Sequence, residues 1–217
     1  PVSNQINKKY GKIVQSGTAV LESLENFKTI GISPALDIAL GGGLREGSCV
    51  VMTGDPKTGK TTTALYFAAK AQKEGKKVVY LNTEGRLTKE NFKGIKGLDV
   101  GAIKVVQATD EEPIVPAEVY LNSLETMIKS TPDLVAIVDS TSNMVPRDEI
   151  EGEIRTGVRN ALPRLLSMFF KRISGDVARM KAIVIFITHN IANTGGSRWS
   201  PAKMADCGNM LQYQAGT

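Results

Sequence analysis

The stretch Cys49-Val50-Val51-Met52-Thr53-Gly54-Asp55-Pro56-Lys57-Thr58-Gly59-Lys60-Thr61-Thr62 decides the fold. It begins as an apolar run of strand length. The residues from Gly54 to Thr61 then fit G-x-x-x-x-G-K-[ST], and a segment of helical period follows from Lys60 to Lys73. A glycine-rich turn between a buried strand and a helix is the context in which this pattern carries a mechanism. Its glycines let the backbone wrap closely around phosphate oxygens. Successive N–H groups and the positive end of the helix form an anion nest. Lys60 is placed to reach β- and γ-phosphates, and the Thr61 hydroxyl to ligate Mg²⁺. Gly54, Asp55, Pro56, Lys57, Thr58, Gly59, Lys60, Thr61 and Thr62 are therefore read as a nucleotide-binding loop.

On either side of this loop, valine- and isoleucine-rich runs alternate with helical segments. Expected strands are Cys49–Thr53, Val78–Asn82, Ile103–Gln107, Leu134–Asp139 and Ala182–Thr188, with a further one at Met210–Gln214. Expected helices are Lys60–Lys73, Pro116–Ser130 and Val158–Ile173. This alternation predicts an α/β domain, a mostly parallel twisted sheet covered on both faces by helices. The first 30 residues stand outside the pattern. They hold a polar helical stretch, Asn4–Tyr10, then Gly11 and the apolar-studded Ile13–Leu24, and read as an N-terminal arm on a core spanning 31–217.

Two carboxylates complete the expected site. Leu134–Asp139 is an apolar strand ending in an acid, suited to hold Mg²⁺ through a water at the strand's C-terminal edge. Glu84 follows the run Val78–Asn82 and is the candidate to orient and polarise an attacking water.

At this point the residues carry a family resemblance. The chain resembles the core of the RecA-type DNA recombinases, bacterial RecA and its UvsX-like phage relatives, over nearly its whole length. Gly31-Ile32-Ser33-Pro34-Ala35-Leu36-Asp37-Ile38-Ala39-Leu40-Gly41-Gly42-Gly43-Leu44 resembles the family's approach to the core. The loop at Gly54, Glu84 and the Asp139 strand follow in the family's order. Glu149-Ile150-Glu151-Gly152-Glu153-Ile154 is very like the start of the family's first DNA-binding loop. The resemblance implies ATP as nucleotide, Glu84 as catalytic base and Lys60 as phosphate ligand. His189, the only histidine, takes the place of the family's γ-phosphate sensor, where bacterial RecA usually has Gln and UvsX-like proteins have His. Phe92 stands in for the aromatic that stacks on adenine.

The resemblance also assigns two loops to single-stranded DNA, about 147–160 and 190–203. Arg155 and Arg159 belong to the first. Arg164, Ser167, Lys171 and Arg172 follow on the next helix, where helical spacing puts Arg164, Ser167 and Lys171 along one face. Arg198 and Trp199 belong to the second loop, where Trp199 either stacks on bases or anchors the loop internally. Charge supports the assignment. The chain has 27 Lys+Arg and 22 Asp+Glu, a formal net charge of +5. Between Ile154 and Lys203 there are nine basic residues and one acid, so that window carries +8 and the remainder −3. A basic surplus confined to one stretch points to an anionic partner.

Several classes are excluded or disfavoured. With 41% hydrophobic and 23% charged residues the chain is composed like a folded globular protein, not a disordered one. No apolar run approaches the roughly 20 residues of a membrane span. Cys49 and Cys207 are too few for a disulfide framework or a structural zinc site, so a reducing cytoplasm, in a bacterium or a phage-infected host, is expected. The resemblance implies a DNA-dependent ATPase acting in homologous recombination and repair. It would form a head-to-tail helical filament on single-stranded DNA through its N-terminal arm and pair it with a duplex. The match stops at Thr217, before the family's last core strands and the basic pair that reaches a neighbour's nucleotide, so the chain reads as a core truncated at its C-terminus. The alternatives are a ring-forming, helicase-type motor of the same fold and a truncated regulatory paralogue.

Overall fold

The computed structural model describes residues 2–151, 161–192 and 203–205, the last group and 191–192 by backbone alone. Arg155, Arg159, Arg198, Trp199, Cys207 and the expected strand Met210–Gln214 lie outside the described residues. The described elements begin with α1 (Val2–Tyr10), α2 (Gly17–Glu25), β1 (Thr29–Ile30), α3 (Pro34–Ala39) and β2 (Leu44–Arg45). The core then runs β3 (Ser48–Gly54), α4 (Lys60–Lys73), β4 (Lys77–Asn82), α5 (Lys89–Lys93), β5 (Ile103–Gln107), α6 (Ala117–Ser130), β6 (Leu134–Asp139), α7 (Arg147–Glu151), α8 (Ala161–Arg179) and β7 (Ile183–Ala192), and β8 (Lys203–Ala205) follows.

The main sheet has the order β3-β7-β6-β4-β5, and every pairing along that path is parallel. Its strands are apolar on both faces because both faces are covered. All six residues of β6 are buried, and Ile183 to Ile187 of β7 are no more than 1% exposed. One face packs on α6 and α8, which present Tyr120, Leu121, Leu124 and Ile128, and Leu166, Phe169, Phe170, Ile173 and Val177. The other packs on α4, whose small residues Ala64, Ala68 and Ala71 admit close approach beside Leu65 and Phe67. Each fully buried large side chain contributes about 1.5–3 kcal/mol.

Sequence and structure differ most at the C-terminal ends of α8 and β7; elsewhere in the core the described ends differ by a residue at most. The helix expected to end at Ile173 continues through Ser174-Gly175 to Arg179. Val177 sits one turn beyond Ile173 on the same face, and its burial offsets the roughly 1 kcal/mol cost of a helical glycine. β7 extends four residues past Thr188, where β8 gives it an antiparallel partner at Asn190, Ile191 and Ala192.

Neither α1 nor α2 has a buried residue among those described. Among the described residues, bonds to the core begin at the end of α2: Arg45 donates to the Leu24 carbonyl, Lys181 to the Asn26 carbonyl, and the ring of Phe27 lies beneath both cations. Among the described residues no helix is long and apolar enough to cross a membrane.

Candidate active site

The C-terminal edges of β3, β7, β6 and β4 bring the expected residues together. This is the crevice where parallel α/β sheets bind ligands. Gly54 ends β3 and faces His189 across the β3–β7 pairing, and Asp139 ends β6 opposite Asn82 of β4.

The loop after β3 reverses direction through Lys57 and Gly59, both with positive φ, 64° and 89°. At Gly59 this left-handed turn leads directly into α4, and no side chain caps the helix. The first N–H groups of α4 are thus without a capping side chain, which suits an anion. Lys60 folds back over the loop, donating to the carbonyls of Gly54 and Asp55 at 2.9 Å each. Thr58 donates to the Asp55 carbonyl, and Thr62 stands exposed on the first turn of α4. Asn190 accepts from Thr53 and donates to Asp55, tying β7 to the loop's first turn.

Thr61 and Asp139 meet, as expected for a pair that shares a metal: the Thr61 hydroxyl donates to Asp139 Oδ2 at 2.6 Å. Among the described residues no cluster of three or more His, Cys, Asp or Glu could cage a cation. One hydroxyl and one buried carboxylate fit an ion that keeps waters and arrives on nucleotide phosphates, which is the habit of Mg²⁺. Thr61 and Asp139 are the residues that could hold it.

Glu84 lies at the centre of a second set of contacts. Its Oε1 is 2.6 Å from His189 Nε2 and accepts from the Ser140 hydroxyl at 2.9 Å. Burial, the largest single influence, pushes the Glu84 carboxyl up. The hydrogen bonds from His189 and Ser140, with the charges of His189 and Arg86, more than offset it and hold the group below its ordinary value. Glu84 is therefore a carboxylate at neutral pH, in a form that can orient water. The His189 backbone N–H donates to the Ser142 hydroxyl at 3.1 Å, so β7 also grips the turn after β6. A polar cavity of about 180 Å³ lies over these groups, lined by Thr61, Tyr80, Asn82, Glu84, Arg86, Leu87, Asn91 and Asp139.

Comparison with known proteins agrees with this geometry. The family model for the RecA N-terminal domain matches residues 2–216. The chain belongs to the RecA family. Protein RecA of Rippkaea orientalis is 30% identical over 216 residues, covering 99% of this chain and 59% of its own length. Protein RecA of Synechocystis sp. is 32% identical over 213 residues, 97% and 57%. That of Nitratiruptor sp. is 31% identical over 214 residues, 97% and 60%. The chain thus spans less than two thirds of the length of these curated relatives.

Two expectations drawn from the RecA resemblance meet a different arrangement. Phe92, expected to stack on adenine, packs against the core layer on the α4 side. Leu87 packs against the same layer, while Leu87 and Asn91 also line the cavity and a capping box of Thr88 and Asn91 opens α5. Arg172, expected to contact DNA, is instead engaged by the nearly buried Glu125 of α6, with its Nη2 2.9 Å from Oε2 and its Nε also bonded. Arg164, Ser167 and Lys171 do share one open surface depression on α8, beside Pro163 and Met168.

The structure adds groups that sequence reasoning passed over. Ser140 donates to Glu84, Ser142 accepts from the His189 N–H, Arg86 faces the cavity, and Tyr80 touches Asp139. Ser140 had a signal, since it directly follows the strand-ending acid. Tyr80 had none, because within Val78–Asn82 it reads as another core residue.

Proposed function

We propose that this chain is the nucleotide-hydrolysing, DNA-binding core of a recombinase. It binds ATP with Mg²⁺ on the loop at Gly54–Thr62, assembles as a helical filament on single-stranded DNA and exchanges strands with a homologous duplex. Glu84 orients the attacking water, Lys60 and the loop N–H groups hold the phosphates, and His189 senses the γ-phosphate. Bound Mg²⁺ supplies neutralisation of charge on the β- and γ-oxygens. The DNA contacts are Arg164, Ser167 and Lys171 on α8 together with Arg155, Arg159, Arg198 and Trp199. The exposed Tyr10, Ile13 and Leu21 of the arm are the surface offered to a neighbouring subunit. Action in the cytoplasm of a bacterial or phage-infected cell belongs to the same reading.

The observation that carries this reading is the contact between His189 and Glu84. β7 runs from that contact to Ala192, and residues 193–203 follow with Arg198 and Lys203. A change in what Glu84 and His189 hold is therefore felt at the root of the basic segment, which is what a nucleotide-controlled DNA clamp requires. The test is fluorescence anisotropy of labelled single-stranded DNA with and without a non-hydrolysable ATP analogue. Tight binding should require the analogue and should lose that requirement, with the tightness, in Lys60→Ala. Binding indifferent to both nucleotide and variant would remove the switch from the account.

A further inference from the structure

Tyr80 stands in mid-β4 and is 1% exposed. Core packing there asks only for a ring; a hydroxyl in such a place must find a partner to offset its lost hydration. The partner is Asp139. The Tyr80 hydroxyl donates to Asp139 Oδ2 at 2.5 Å, the same oxygen that accepts from Thr61 at 2.6 Å. Among the described residues both bonds fall on Oδ2, and Oδ1 carries none. The register makes the reach possible. In the parallel β4–β6 pair Tyr80 lies opposite Ile137 and Asn82 opposite Asp139, so the ring approaches the carboxylate diagonally along one face of the sheet.

We infer that Tyr80 is a positioning residue for Asp139, fixing Oδ2 so that Oδ1 is presented to a hydrated Mg²⁺ carried in with the nucleotide. A hydroxyl has one proton and two lone pairs. With its proton spent on Asp139, Thr61 presents lone pairs to a cation, and the buried phenol holds the same carboxylate oxygen. Groups that orient a metal ligand in this way typically govern metal affinity by about 10- to 100-fold. The inference rests on the reading of Lys60, Thr61 and Asp139 as a nucleotide–Mg²⁺ site.

The experiment is binding of a fluorescent ATP analogue to the chain, titrated with Mg²⁺, for the parent and for Tyr80→Phe, which keeps the ring and removes only the hydroxyl. The half-saturating Mg²⁺ concentration should rise about tenfold or more, while binding in EDTA and binding at saturating Mg²⁺ stay near those of the parent. An unchanged Mg²⁺ midpoint, or an equal loss with and without Mg²⁺, would overturn the positioning role. A second measurement keeps the hydroxyl at residue 80. With 3-fluorotyrosine throughout, the Tyr80 fluorine resonance, assigned by elimination with Phe variants of Tyr10, Tyr66, Tyr120 and Tyr213, should shift when Mg²⁺ is added to the nucleotide-bound chain. A resonance indifferent to Mg²⁺ would overturn it too. A parent chain that binds no nucleotide at any Mg²⁺ concentration would instead sink the underlying nucleotide reading.

Discussion

His189 Nε2 and Glu84 Oε1 lie 2.6 Å apart, joining β7 to the turn after β4 across the intervening β6. Ser140, directly after β6, donates to the same glutamate oxygen, so groups from three neighbouring strands meet on one atom. In the proposed function, a phosphate placed over Lys60 would compete for these groups and so link the nucleotide to β7.

If that link transmits DNA binding to hydrolysis, His189→Ala should cut the DNA stimulation of ATP hydrolysis by roughly 5- to 150-fold, the span of an ordinary 1–3 kcal/mol coupling. His189→Gln, which keeps a hydrogen-bonding group at the same reach, should retain more of it. The ratio of hydrolysis rates with and without single-stranded DNA reads this directly. Equal ratios in all three proteins would take His189 out of the relay.

The same contacts predict how stability depends on pH. Glu84 is held below the ordinary carboxylate value, about 4.3, despite the upward push of burial. Glu125 is lowered first by the hydrogen bond from Lys129, against burial, and then by Arg172. A depressed folded-state value stabilises the fold above the ordinary value, and that stability is lost as pH falls through the depressed one. Urea midpoints measured from pH 7 to pH 3 should therefore fall on the acid side. Glu84→Gln and Glu125→Gln should each flatten that fall. A variant with the parent's full acid slope would mean its carboxylate is not perturbed in the fold.

Much of this architecture was legible in the sequence, for physical reasons. Ile103–Gln107 and Leu134–Asp139 occur as strands with the bounds that their apolar runs predict, and Lys60–Lys73 is a helix from the loop lysine onward. Strand ends also foretold where Glu84, Asp139 and His189 would gather. Pairings between distant side chains were not legible. Nothing local to Arg172 announces Glu125, 47 residues earlier. Nothing local to Phe92 reveals that it packs against the layer on the α4 side. The oxygen of Tyr80 acquires meaning only once β4 and β6 are neighbours.

On α8 the structure separates residues that charge alone treats alike. Arg164→Gln and Lys171→Gln should each weaken binding to single-stranded DNA and reduce its logarithmic salt dependence by about 0.7 per lost phosphate contact. Arg172→Gln should leave the slope unchanged and lower stability by about 1 kcal/mol, because its partner is Glu125. Binding isotherms at several salt concentrations, set beside urea melts, distinguish the two behaviours. A slope change in Arg172→Gln would return that residue to the DNA face.

The layer beneath α8 rests on Phe170, 1% exposed and in tilted contact with Phe186 at 5.0 Å between centroids. Phe170→Ala should cost about 3–5 kcal/mol of folding stability by emptying this space. Phe170→Leu should cost clearly less. Chemical denaturation checks both, and a Phe170→Ala loss under 1 kcal/mol would show that the layer collapses to fill the cavity.

The central claim is that the site at Lys60, Glu84 and Asp139 and the basic segment beyond β7 work as one switch. Steady-state ATP hydrolysis with and without single-stranded DNA tests it most directly. The account predicts slow hydrolysis that rises about tenfold or more on DNA and vanishes in Lys60→Ala. Hydrolysis at the same rate with and without DNA, under conditions where the DNA is bound, would contradict it.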